Sequence, residues 1–184
     1  MAGHSLIAAI ANRDGRNFQA LLASAAEDWR KAGMVVVGLV AEDRDVEGSC
    51  SAGFLRDLAS GRRHSVHLDK PPAGETCQLD ASGMDGACAG LLGQIDSADV
   101  VVISKFGKLE AMRKGLWPAF AAALAADKPL LTTVSSNHAE AWSRFAPAAS
   151  WLAPDISSVE RWRQATKPRP PTAGPDAAHG PEAG

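Results

Sequence analysis

The 184-residue sequence predicts a three-layer α/β domain: a mostly parallel sheet, covered by helices, that carries a β-hairpin insertion. Three observations predict it. Short apolar, β-branched runs alternate with stretches of helical spacing along most of the chain, the pattern of strand–helix–strand units. Runs such as "MVVVGLV" and "ADVVVIS" are continuously apolar, as strands covered on both faces must be. One stretch breaks the alternation and reads as two strands about a glycine turn.

The first strand is "SLIAAIA", Ser5 to Ala11, closed by the polar turn "NRDGRN". "FQALLASAAEDWRKAG" then has helical spacing and stops at Gly33, where the absence of a side chain suits a helix end. "MVVVGLVA", Met34 to Ala41, is the second strand, so the chain opens with a unit whose crossover is right-handed. "GFLRDL" and "RHSVHL" flank "ASGR" and form the antiparallel hairpin. "LDASGMDGACAGLLGQID", Leu79 to Asp96, keeps helical intervals despite four glycines and feeds the strand "ADVVVIS". After a turn holding Lys105 and Lys108, "GLWPAFAAALAADK" is a helix that tolerates Pro118 only in its first turn, and "PLLTTVS" is the next strand. Asn137 and Glu140 predict a capping box opening "HAEAWSRFA", and a last helix runs from Asp155 to about Ala165. Residues 1–166 are thus the expected domain; 167–184, rich in proline, glycine and alanine without apolar periodicity, are an expected disordered tail.

Charge excludes some functions. Nineteen lysines and arginines against 21 acidic residues do not describe a protein that coats nucleic acid or an anionic membrane, so any basic site is local. No apolar run reaches the roughly 18 residues of a membrane span, and the opening "MAGHSLIAAIANRDG" lacks a basic start and a cleavage region, so a cytoplasmic location is expected. Cys50, Cys77 and Cys88 are odd in number with no paired C-x-x-C spacing, which predicts reduced thiols. With His64 and His67 they match no standard metal spacing, and no metal ligand is assigned.

In an open parallel sheet the ligand site lies outside the carboxyl ends of the strands. "NRDGRN" occupies the position of a phosphate-binding loop. A working loop of that kind reads G-x-x-x-x-G-K-[ST]: backbone N–H groups wrap the phosphates, the lysine reaches the outer ones and the hydroxyl ligates magnesium. Here Asn12 and Asn17 stand at the framing glycines, Phe18 at the lysine and Gln19 at the hydroxyl, and only Gly15 persists inside the loop. Arg13 and Arg16 can still reinforce anion binding at a helix N-terminus; the alternative is a solvated turn that merely opens the helix.

The second loop is "ISKFGKLEA". Where a nucleotide-hydrolysing domain ends a strand with an aspartate for magnesium and a glutamate for water activation, this chain has Ser104 and Lys105. Cationic groups cannot hold a cation, but Lys105 and Lys108 can neutralise an oxyanion directly. Glu110 is the nearest carboxylate; as a surface residue it would pair with Lys114 or Arg113.

"VVVISKFGKLEA" resembles the segment "DEIGxME" of the THEP-type nucleoside-triphosphatases, with Ser104 and Lys105 in place of the Asp-Glu pair and with Gly107 and Glu110 kept. "CSAGFLRDLASGRR", "TCQLD", "SKFGKLEA" followed by Gly115-Leu116, and "AWSRFA" are similar to a bacterial family related to those enzymes, domain of unknown function 2478, from about Leu6 to about Ala153. The resemblance implies a fold of the P-loop nucleoside-triphosphatase type with degenerate catalytic motifs. It also implies a link to molybdate handling, with protein partners in molybdate transport or molybdoenzyme maturation.

These readings define an oxyanion or nucleotide-phosphate binder with no assigned catalytic residue, its ligand set being Asn12, Arg13, Gly15, Arg16, Asn17, Ser104, Lys105, Gly107, Lys108 and Glu110. A nucleotide or a molybdate-like oxyanion is the expected ligand. An active nucleoside-triphosphatase or phosphotransferase with relocated residues, and a protein-interaction scaffold without small ligand, are the alternatives. The five tryptophans, in or beside helices, are expected to serve packing.

Overall fold

The computed structural model describes residues 5–12, 18–43, 52–66 and 80–166. The predicted tail, loop residues 13–17, Cys50, Cys77 and His67 lie outside the described residues. In chain order the elements are β1 (Ile7–Asn12), α1 (Gln19–Lys31), β2 (Val36–Asp43), β3 (Ala52–Asp57), β4 (Arg63–Ser65), α2 (Ala81–Leu92), β5 (Val100–Phe106), α3 (Lys108–Ala111), α4 (Trp117–Ala125), β6 (Leu130–Ser135), α5 (Ala139–Phe145), β7 (Ser150–Leu152) and α6 (Ile156–Ala165).

The strands form one sheet in the order β4-β3-β2-β5-β6-β1-β7. β2, β5, β6, β1 and β7 are mutually parallel. β3 and β4 extend the β2 edge antiparallel, as the hairpin reading requires. Period-two alternation sorts the strand side chains between two cores. Val101 and Ile103 of β5 join Met84, Leu91, Phe120 and Trp142 beneath α2, α4 and α5. Val100 and Val102 face the other way, with Leu22, Trp29, Val159 and Trp162 of α1 and α6. That division makes the three layers.

Two glycines are explained by close approach. A Cβ on Gly38 of β2 would lie 1.8 Å from the Val102 carbonyl oxygen of β5, and one on Gly83 of α2 would lie 1.8 Å from the Ser65 carbonyl oxygen of β4. The glycine that weakens the helix in isolation is the one that lets it sit against the hairpin. On that hairpin edge Arg56 and Arg63 share the carboxylate of Glu42, at 2.7 and 2.6 Å, which ties β3 and β4 to the end of β2.

Several expectations are corrected. Asn137 does not cap a helix: residues 136–138 form a 3₁₀ turn, α5 begins after His138 without a side-chain cap, and Glu140 pairs with Arg144 at 2.6 Å. The serine and asparagine after β6 favour the tight turn over a cap. The helix expected after the lysine turn is present as α4, with Pro118 in its first turn, and the lysine turn itself holds the additional short helix α3. β7 is an additional short strand, and its Trp151 is 46% exposed rather than packed beside a helix. The predicted last helix is present: Asp155 accepts from the Ser158 N–H at 2.8 Å and the Ser158 hydroxyl at 2.9 Å.

Candidate functional site

The carboxyl ends of β1 and β5 lie level across β6, because Val134 pairs with Ala11 on one side and Phe106 on the other. Two strand spacings separate them, about 10 Å. The first loop and the lysine turn therefore leave the sheet at one edge, with the segment after β6 between them.

A bulge shapes the end of β5. Ile103 pairs with Thr132 and Lys105 with Thr133, leaving Ser104 as the extra residue. Thr132 and Thr133 hydroxyls donate to the Ser104 carbonyl at 3.2 and 3.3 Å, and the Thr132 hydroxyl also to that of Ile103 at 2.9 Å. The extra residue shifts the alternation, so Phe106 rather than Lys105 joins the face of Ile103. Phe106 is 1% exposed there, among Phe120, Trp142 and Phe145 with ring centroids 5.2–5.6 Å away. Lys105 is left exposed, as is Lys108 at the start of α3. Neither ammonium forms an ion pair with a described residue.

Ser104 and Gln19 meet. Ser104 is 3% exposed, and its hydroxyl donates to Oε1 of Gln19 at 3.2 Å. The same oxygen accepts from the Ala41 N–H of β2 at 3.0 Å. By sequence these two side chains stand where a P-loop hydroxyl and the strand-end aspartate would share a magnesium ion; here one donates directly to the other. Because the Gln19 oxygen also serves Ala41, turning the carboxamide over would orphan that N–H.

Glu110 departs from the surface reading. It is buried, and its carboxylate accepts from the Gly107 N–H at 3.1 Å and the Leu116 N–H at 2.9 Å, tying the turn into a loop. Burial pushes its carboxyl above the usual range, against hydrogen bonds from Leu116, its own N–H and Gly107 and the positive charge of Lys105. Gly115 makes the approach possible: its φ is +62°, and a Cβ there would lie 2.6 Å from the Glu110 carboxylate.

Of the remaining predicted residues, Asn12 ends β1, with a buried Oδ1 that has no partner among the described residues. Gly107, in extended backbone, opens α3. Arg13, Gly15, Arg16 and Asn17 lie outside the described residues. Two features escaped the sequence reading. Gln19 acts as a hub between α1, β2 and β5. Residues 135–138, "SSNH", end β6 between the two loops, and the half-buried His138 has a buried Nδ1 without a described partner. A polar run following an apolar strand is the signal that marks them.

This sheet order, with its loops gathered at the carboxyl ends of the strands, defines an α/β protein of the P-loop nucleoside-triphosphatase fold. The solution structure of a human cancer-related nucleoside triphosphatase matches it with a TM-score of 0.67 at 18% identity, over 88% of this chain and 99% of that one. The crystal structure of THEP1 from the hyperthermophile Aquifex aeolicus matches with a TM-score of 0.56 at 11% identity, over 86% and 94%. The chain belongs to the family described as Protein of unknown function (DUF2478), whose model matches residues 7–162. It is also 32% identical over 166 residues to the Molybdenum import ATP-binding protein ModC 2 of Bradyrhizobium diazoefficiens. That match takes in 89% of this chain and spans 18% of the relative's length.

Proposed function

We propose that this protein is a catalytically degenerate P-loop-like binder of an oxyanion or a nucleotide phosphate, acting in an accessory or regulatory role tied to molybdate handling. The guest sits at the carboxyl edge of the sheet, between Asn12 with the loop Arg13–Asn17 and the turn Lys105–Lys108. The observation that carries this reading is the Ser104–Gln19 hydrogen bond at 3.2 Å. Magnesium ligation needs oxygens turned toward a shared cation, whereas these two side chains carry no charge and the hydroxyl of one donates to the oxygen of the other. Two exposed ammonium groups nearby supply positive charge that can meet an anion without a metal. The losses bear on catalysis, since the loop lysine and the metal each supply several kcal/mol to a phosphoryl-transfer transition state. The ModC 2 similarity supports the molybdenum association, and the nucleoside-triphosphatase likeness in fold supports phosphate as the alternative guest.

The test is calorimetric titration of the folded protein with ATP, phosphate, sulfate, molybdate and tungstate. At least one saturates, and Lys105→Ala with Lys108→Ala weakens it by about tenfold or more, as loss of charge-assisted contacts requires. No binding heat with any of the five sinks the proposal.

A further inference from the structure

A second recess lies at the opposite edge of the sheet. Leu6 precedes β1, Met34 precedes β2, Asp99 precedes β5 and Pro129 precedes β6, and together with Lys128 and Arg163 they line a cleft of about 550 Å³. A strand of this sheet is about 20 Å long, so the cleft is separate from the lysine turn.

Arg163 is its unusual member. The residue is 8% exposed, in the last turn of α6, and its Nε is buried without a partner among the described residues. A cation at a helix C-terminus is favoured by the helix dipole, which explains the residue type but not the burial of an N–H away from an acceptor. An N–H held away from water without an acceptor carries the desolvation cost of an unmade hydrogen bond. The other charges are at least partly committed: the Lys128 ammonium donates to the Asp96 and Ala98 carbonyls at 2.7 and 3.0 Å, and the Asp99 carboxylate accepts from the Val35 N–H at 2.7 Å.

We propose that this cleft binds a small monocarboxylate with an apolar body. The planar carboxylate suits the guanidinium fork, and Leu6, Met34 and Pro129 offer the apolar wall. Asp99 and Asp127 also line the cleft, and their repulsion grows with each negative charge on the guest, which favours a monoanion over a dianion.

The test is titration of the full chain with isocaproate, benzoate and inorganic phosphate, followed by calorimetry or amide chemical shifts. Either carboxylate saturates with about millimolar affinity, as expected for a ligand of that size. Arg163→Gln weakens it by at least about tenfold, and Ala32→Phe, at an exposed position on the wall, blocks it. Lys105→Ala with Lys108→Ala leaves it unchanged, which separates this site from the first. Absence of saturation, affinity untouched by Ala32→Phe or Arg163→Gln, or Arg163-dependent binding of phosphate in preference to the carboxylates overturns the proposal. Should Arg163→Gln not fold, Ala32→Phe decides alone.

Discussion

Ser104→Asp places at the end of β5 the acidic residue with which nucleotide-hydrolysing domains hold magnesium, and it should damage the protein. The hydroxyl it replaces is 3% exposed and donates to Gln19 at 3.2 Å. Losing that donor costs about 1 kcal/mol. The introduced carboxylate then faces the Gln19 oxygen, acceptor against acceptor, and the carboxamide cannot reverse without orphaning the Ala41 N–H. Burying an uncompensated charge adds about 3–5 kcal/mol. The variant should therefore lose about 4–6 kcal/mol at pH 7, a large share of a typical domain's stability. Protonation lets the new group donate to Gln19, so the penalty shrinks as pH falls. Urea unfolding followed by tryptophan fluorescence, at pH 7 and pH 5 and with and without magnesium, measures this. A stability equal to wild type, or full recovery on adding magnesium, would refute the reasoning, because either shows that the pocket still accommodates an acid and a cation.

Glu110→Gln should destabilise by about 1–2 kcal/mol, since a carboxamide offers one oxygen to the two N–H donors of Gly107 and Leu116. Burial raises the Glu110 carboxyl in the folded state above its ordinary 4.5, so between the two values the native state holds the extra proton. Its contribution to stability accordingly falls as pH rises through that window; the variant should lack this slope in a pH series of unfolding midpoints, and an unchanged slope would assign the titration elsewhere. Gly38→Ala should cost more than about 3 kcal/mol or abolish folding, because the Cβ meets the Val102 carbonyl at 1.8 Å; normal expression with an unshifted melting temperature would contradict that close approach. Gly115→Ala should cost about 1–3 kcal/mol through its positive φ and the contact with Glu110, read in the same unfolding assay.

The sheet was legible because its strands announce themselves. "VVVGLV" and "VVVIS" are β-branched, continuous and of strand length, and only burial on both faces makes such runs stable in water. The hairpin was legible from its glycine turn, and Gly61 indeed takes a φ of +73°. β7 was not: three residues including an exposed tryptophan carry no periodicity, and parallel pairing with β1 alone defines the strand. The site was half legible. Position along the sheet predicted that the lysine turn and the first loop share an edge, and the register across Val134 agrees. What sequence could not supply was direction within the turn. A bulge at Ser104 decides that Phe106 goes inward and Lys105 outward, and a bulge is set by pairing with β6, not by local residues. Glu110 failed for a similar reason: its partners are backbone N–H groups, which every residue possesses and no motif displays.

The most direct measurement is the affinity for whichever of the five anions saturates, with and without magnesium, taken together with phosphate release from ATP under the same conditions. Lysines standing in for a metal predict binding that magnesium leaves unchanged, that Lys105→Ala with Lys108→Ala weakens, and that proceeds without turnover. Tighter binding with magnesium accompanied by steady phosphate release would contradict it.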